Sequence, residues 1–353
     1  MPRLALALLL LALTLPAFAA DVHVRVDPSA PSAAPGNEDR TTFPTIQNAL
    51  DHHPFATDGG RVFIEIVPGT YRERVIITQN HENITLVGLG KTPDEVVITN
   101  SLNAKTAGGT FFTETVEVNG PGFEADNLTI ENTAGNTGQA VAVANRSDRS
   151  IFKHCRLLGH QDTLFADFGR QYYVDTYIEG GVDYIFGNAT AVFDRTELHS
   201  NGPGYITAQS RTSAAQTTGY VILNSRVTSG LEPAAPPMDL TTPGARSTAS
   251  ARNTIGLGRP WRAYARVVFI STELPADLNP AGWNNWSNPA NESTAFFAEF
   301  NSTGPGASPA TRVPWSHQLT RAQAAKFLPA AFLAGPPSGP AHWNPIVAAA
   351  KLP

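Results

Sequence analysis

Short apolar, β-branched runs recur along the chain, and each is cut off within a few residues by Gly, Asn or Asp. Val62-Phe63-Ile64-Glu65-Ile66-Val67, Val75-Ile76-Ile77, Ile84-Thr85-Leu86-Val87 and Val96-Val97-Ile98-Thr99 are of this kind and predict strands. Two stretches predict helices. One lies near Thr45-Ile46-Gln47-Asn48-Ala49-Leu50, and the other runs from Thr320 to Leu328 with Thr320 as its N-cap. After Ala334 the chain is rich in Pro and Gly, which predicts an extended tail. No linker or change of composition divides it, so residues 20–353 are expected to form one domain.

The first segment has a different pattern. Arg3 precedes an apolar run from Leu4 to Leu15, and Pro16-Ala17-Phe18-Ala19-Ala20 follows with small residues at the spacing of a leader-peptidase site. Residues 1–19 are therefore read as a signal peptide. The run is short for a spanning helix, and no other stretch approaches 18 apolar residues. A secreted or periplasmic protein with no membrane attachment after cleavage is expected.

The strand-like runs repeat. Cys155-x-Leu157-x-Gly159, Thr176-x-Ile178-x-Gly180, Thr196-x-Leu198-x-Ser200 and Ser225-x-Val227-x-Ser229 align at steps of 21, 20 and 29 residues. A step near 20 is too short for a β-α-β unit of about 30 residues, but it suits one coil of a parallel β-helix. The longer last step is assigned to an inserted loop around Gln209 to Thr218. A leucine-rich repeat is disfavoured because its asparagine ladder and leucine density are missing. The predicted fold class is thus all-β, a single-stranded parallel β-helix with short flanking helices.

This register pairs two acids. Asp162 lies seven residues after Cys155, and Asp183 lies seven after Thr176, so they take the same place on consecutive coils. Parallel strands stand about 4.8 Å apart, which puts one carboxyl above the other. Like charges at that distance destabilise the fold unless something compensates, so the pair marks a candidate functional site.

Composition narrows the classes. The chain has 353 residues, 42% hydrophobic and 16% charged, with 29 Gly and 28 Pro, which disfavours helix bundles and excludes intrinsic disorder. With 25 bases against 30 acids there is no electrostatic footprint for nucleic acid. Cys155 is the only cysteine, so neither an intramolecular disulfide nor a Cys-based zinc site can form, and the nine histidines form no metal-binding motif. No metal and no cofactor is expected.

Gly159-His160-Gln161-Asp162-Thr163-Leu164-Phe165, followed by Gly181-Val182-Asp183-Tyr184-Ile185-Phe186-Gly187, resembles the paired active-site motifs of the pectin methylesterases (pectinesterases). Further segments agree, in family order. They are Gly69-Thr70-Tyr71-Arg72-Glu73, Glu131-Asn132-Thr133-Ala134-Gly135 leading to Gln139-Ala140-Val141-Ala142-Val143, Leu257-Gly258-Arg259-Pro260-Trp261, and Gly282-Trp283-x-x-Trp286 with Gly304-Pro305-Gly306-Ala307. The resemblance implies a right-handed parallel β-helix that hydrolyses methyl esters of polygalacturonate. It makes Asp183 the nucleophile, Arg259 its two-pronged partner, Asp162 the general acid, and Gln139 and Gln161 the oxyanion donors. It makes Trp261 a sugar platform and Thr110 a substrate contact, with Phe165, Tyr184, Trp283 and Trp286 as groove aromatics. The charge of Asp183 is expected to raise the pKa of Asp162, so that the two neighbours hold opposite protonation states. The implied partner is methyl-esterified pectin, bound by a monomer.

Two departures from the family stand out. Many relatives have Phe at Tyr184 and Tyr at Phe165, and many pair cysteines where this chain has Cys155 and Thr176. Rival readings find less support. The polygalacturonase signatures, the acidic cluster of a pectate lyase and the Gly-x-Ser-x-Gly elbow of a serine esterase are absent. A catalytically dead carbohydrate-binding β-helix would have no reason to keep both aspartates, Arg259 and both glutamines. The remaining alternatives are a family member acting on another ester or a thioester and, with less support, a pectin-depolymerising β-helix enzyme.

Overall fold

Each coil of the chain lays one strand on each of three parallel sheets, and successive coils stack in register to form a right-handed parallel β-helix. The computed structural model describes residues 20–31, 41–54, 56, 59–230, 254–335 and 342–352. The leader predicted over residues 1–19 lies outside them. Among the described residues one sheet has twelve strands and the other two have seven each.

The predicted strands form at Val62–Ile66, Val75–Ile77, Ile84–Gly88 and Val96–Asn100. In the first, Val62, Ile64 and Ile66 are buried while Phe63 and Glu65 are half-exposed, as the two-residue period of a strand requires. The repeat register is the one the spacing predicts. Leu157 pairs with Ile178, Ile178 with Leu198, and Leu198 with Val227. The 29-residue step contains a loop over residues 210–218, between the strands Gly204–Gln209 and Gly219–Leu223.

Stacking coils stack their side chains too. Inside the long sheet Phe152 lies on Tyr173 and Tyr173 on Phe193, with ring centroids 5.0 and 4.7 Å apart, close to the interstrand spacing. The buried phenols find acceptors: Tyr173 donates to Gln171 Oε1 and Tyr220 to the carbonyl of Ala166. Where strands of the long sheet turn into the next sheet, Asn127, His154, Asp175, Arg195, Asn224, Ser271 and Asn301 all hold positive φ, between 48° and 56°. The corner is thus one left-handed residue, repeated coil after coil.

The ends and the outer face are covered. The helix Ile46–His52 forms as predicted, capped by the Thr45 side chain, and buries Ile46, Ala49 and Leu50. At the other end Thr320 caps Arg321–Ala324 with a capping box, after which the chain tightens to a 3-10 turn at Ala325–Phe327. The tail departs from the extended form predicted for it. Residues 336–341 lie outside the described part, but Pro345–Ala349 is helical because Asn344 caps it and Pro345 fits its first turn. Ala349 and Leu352 then join Ala324 and Leu333 against Tyr172, Val192 and Val221 on the long sheet's outer face.

Candidate active site

The site is built on the sheet that contains Val143–Asn145, Leu164–Ala166 and Ile185–Gly187. Just before these strands, Gln139 bridges Gln161 and Gln161 bridges Val182, which aligns three consecutive coils. Asp162 follows Gln161 and Asp183 follows Val182, and the Asp162 N–H donates to the carbonyl of Val182 at 3.1 Å. Both aspartates are left-handed, with φ of 65° and 47°. A short polar side chain tolerates that conformation best among non-glycine residues, and here it aims two carboxyls out of the same wall.

Arg259 arrives from a more distant coil. It follows the strand Ile255–Gly258, and its N–H donates to the carbonyl of Thr207 at 3.0 Å. Its Nε lies 2.9 Å from Asp183 Oδ1 and its Nη2 2.6 Å from Oδ2, a two-pronged pair. Gly258 allows this approach, because a Cβ there would stand 2.2 Å from Thr207 Oγ1. The Arg259 guanidinium carbon also lies 3.9 Å from the Trp286 ring centroid and 5.0 Å from that of Tyr205.

The two acids differ in surroundings. Among the described residues no protein group hydrogen-bonds the Asp162 carboxyl, and its pKa is pushed up to about 8. Burial is the main cause. The charge of Asp183 adds to it and Arg259 opposes it, so the sign expected from the sequence is right but the neighbouring charge is the smaller contribution. Burial also lifts Asp183, but there the Arg259 hydrogen bonds and charge act against it directly. Asp183 therefore ionises first and Asp162 keeps its proton. The side-chain amides of Gln139 and Gln161 have no protein partner among the described residues, which leaves their N–H groups free for a ligand.

An aromatic floor runs beside these groups. Ala144, Phe165, Phe186 and Ala208 stack in register on the outer face. Phe165 and Phe186 are 4.7 Å apart, and Trp261 packs against Phe186 at 5.8 Å. Thr110 begins a 3-10 turn whose next residue, Phe111, sets its half-exposed ring 4.8 Å from Phe165. Phe165, Trp261 and Trp286 thus stand beside Asp183 and Arg259, while Thr110 adjoins Phe111 at the edge of this floor.

Tyr184 and Trp283 are not. Tyr184 is fully buried inside the coil with its hydroxyl 3.3 Å from Ser200 Oγ, because the left-handed kink at Asp183 breaks the alternation and turns both Tyr184 and Ile185 into the core. Trp283 is buried against Phe297 and Phe269, at 4.6 and 5.7 Å, where it anchors the loop that carries Trp286. Both assignments as groove aromatics are corrected. Three residues were missed instead: Phe111, Phe186 and Tyr205. Phe186 had a readable signal, since it stands 21 residues after Phe165, one coil on.

A family model described as Pectinesterase matches residues 33–336. A pectinesterase of Arabidopsis thaliana is 37% identical over 300 residues, which cover 82% of this chain and 88% of that protein. A pectinesterase of Citrus sinensis is 38% identical over 325 residues, 88% of this chain but 51% of that protein, so the chain spans about half of that relative. The solved pectin methylesterase from carrot matches with a TM-score of 0.75 at 33% identity, covering 89% of this chain and 93% of that one.

Proposed function

The chain belongs to the pectinesterase family, and we propose that it hydrolyses the methyl esters on the galacturonate units of pectin, with Asp183 as nucleophile and Asp162 as acid and base. The observation that carries this reading is the unequal pair: a carboxylate gripped by Arg259 beside an unpartnered carboxyl one coil away, whose burial favours the protonated form.

The Asp183 carboxylate attacks the C6 carbonyl carbon, and the negative charge that develops on the carbonyl oxygen is met by the amides of Gln139 and Gln161. As the tetrahedral centre collapses, Asp162 gives its proton to the methoxy oxygen and methanol leaves. Asp183 and the galacturonyl carbon are then joined as an anhydride. Asp162, now ionised, takes a proton from water, whose oxygen attacks the same carbon. The C–O bond to Asp183 breaks, its carboxylate is restored to Arg259, and the sugar departs with a free carboxyl. Trp261, part-exposed against the buried rings of Phe165 and Phe186, offers an apolar face on which a pyranose ring can pack.

The same reading takes the apolar run before Ala20 as an export signal and residues 20–353 as one monomeric catalytic domain. Among the described residues no helix is long and apolar enough to cross a membrane. Methanol release from highly methylated pectin, set against turnover of small acyl esters, tests the reaction. Release by the wild type and its loss in Asp183→Asn with the fold retained are expected. Full activity in Asp183→Asn, or turnover of acyl esters without methanol release from pectin, would refute it.

A further inference from the structure

Trp286 is an unusual residue in an unusual place. It holds φ of 57° and the next residue, Ser287, holds 55°. A bulky side chain rarely adopts that region, and such strain persists only where the surroundings over-determine it. They do here. The Trp286 N–H donates to Asn284 Oδ1 at 2.7 Å, the Asn285 amide donates to Glu292 Oε1 at 2.7 Å, and the Asn291 amide donates to the carbonyl of Asn285 at 3.0 Å. Trp283 roots the same loop in the core.

The loop delivers one thing: an indole ring 3.9 Å from the Arg259 guanidinium carbon, the shortest cation–ring distance among the described residues. Tyr205 adds a second ring at 5.0 Å. We infer that Trp286 is a positioning residue for the reaction proposed above, holding the Arg259 fork on Asp183 and keeping water off that pair. The inference rests on that reading for its kinetic consequences but not for its geometry.

An arginine side chain has several rotatable bonds, and its fork aims the attacking carboxylate only while it is held still. A ring face attracts the cation without offering an acceptor that would compete with Asp183. Substrate contact alone would not require the indole to lie on the guanidinium, whereas a positioning role does.

The test compares Trp286→Phe and Trp286→Leu with the wild type, using methanol release, its pH profile, and hydrogen exchange of the Arg259 Nε–H in protein labelled with 15N-arginine. The resonance is assigned by its loss in Arg259→Lys. In Trp286→Leu, kcat should fall about tenfold with KM within about twofold, and Trp286→Phe should recover most of the loss. The Arg259 Nε–H should exchange several-fold faster in the Leu variant. Among the described residues the charged and titratable groups that act on or are acted on by Asp183 are Arg259, Asp162 and Tyr205. Loosening Arg259 leaves burial less opposed, so Asp183 keeps its proton to higher pH and the acid limb of kcat/KM should move upward.

A raised KM with unchanged kcat, an acid limb that stays in place and unchanged exchange would overturn the inference and leave Trp286 as a sugar contact only. If Trp286→Leu does not fold, Trp286→Gln is judged by the same criteria. Should the wild type release no methanol, the proposed reaction fails, and the exchange comparison still decides whether Trp286 holds Arg259.

Discussion

Replacing Asp162 by Asn keeps the shape of the side chain and removes its ability to ionise, and the consequence for stability can be worked out. In the unfolded chain this carboxyl ionises near pH 4, whereas in the folded protein it holds its proton to about pH 8. Between those values the folded state binds more protons than the unfolded state, so wild-type stability falls as pH rises. The asparagine variant has no such term. At 1.4 kcal/mol per decade the four decades set a ceiling of about 6 kcal/mol at pH 8 and above. Local relaxation and water in the groove reduce this, and about 2 kcal/mol is expected to remain, roughly 4 °C in midpoint for a chain of this size. Thermal unfolding of both proteins from pH 4 to pH 9, at one scan rate, provides the assay. The variant should match the wild type near pH 4, gain on it steadily to about pH 8, and keep a constant lead above. A gap that does not change with pH, or a variant less stable than the wild type at pH 9, would show that Asp162 is not held neutral and would remove the acid from the mechanism.

Other outcomes follow from the same geometry. Gln139→Ala should lower kcat by about 10²-fold with a smaller change in KM, as for loss of one oxyanion donor, and steady-state methanol release would show it. A change confined to KM would make Gln139 a binding residue. Thr176→Cys should form a disulfide with Cys155 in air, because Arg156 pairs with Tyr177 on the next coil and the Tyr177 N–H donates to the Cys155 carbonyl. Closing that loop should stabilise the fold by about 2–3 kcal/mol, and intact mass with thiol counting under denaturing conditions reports the bond. Two free thiols in the folded, air-exposed variant would contradict the register. Gly180→Ala should destabilise by about 1–3 kcal/mol in chemical unfolding, since its Cβ would stand 2.2 Å from that of Tyr184.

The stacking register was legible because it is a property of spacing. Leu157, Ile178, Leu198 and Val227 face inward at steps of 21, 20 and 29 residues, and once they were aligned Asp162 and Asp183 had to be neighbours. The capping threonines Thr45 and Thr320 were legible for a local reason, a side-chain oxygen three residues before the N–H it accepts from. Tyr184 was misplaced because its groove role came with the resemblance and not from its own position; directly after Asp183, whose carboxyl points outward, it turns into the core. Trp283 and Trp286 look equivalent in a Gly-Trp-x-x-Trp motif, yet three residues of loop send one into the core and the other onto Arg259. Tyr205 could not be foreseen at all, since its nearness to Arg259 depends on a coil whose length varies. The tail helix Pro345–Ala349 is short and has its apolar side defined only by the long sheet it covers.

The recurring left-handed corner carries an evolutionary consequence. Because seven successive strands of the long sheet end in one left-handed residue, drawn here from Asn, His, Asp, Arg and Ser, a whole coil can be gained or lost there without redesigning its neighbours. The groups proposed to react occupy three adjacent coils plus the strand that brings Arg259. Coils further out can then change in number and surface independently, so that the length of polymer gripped and the bond cleaved are inherited as separate traits.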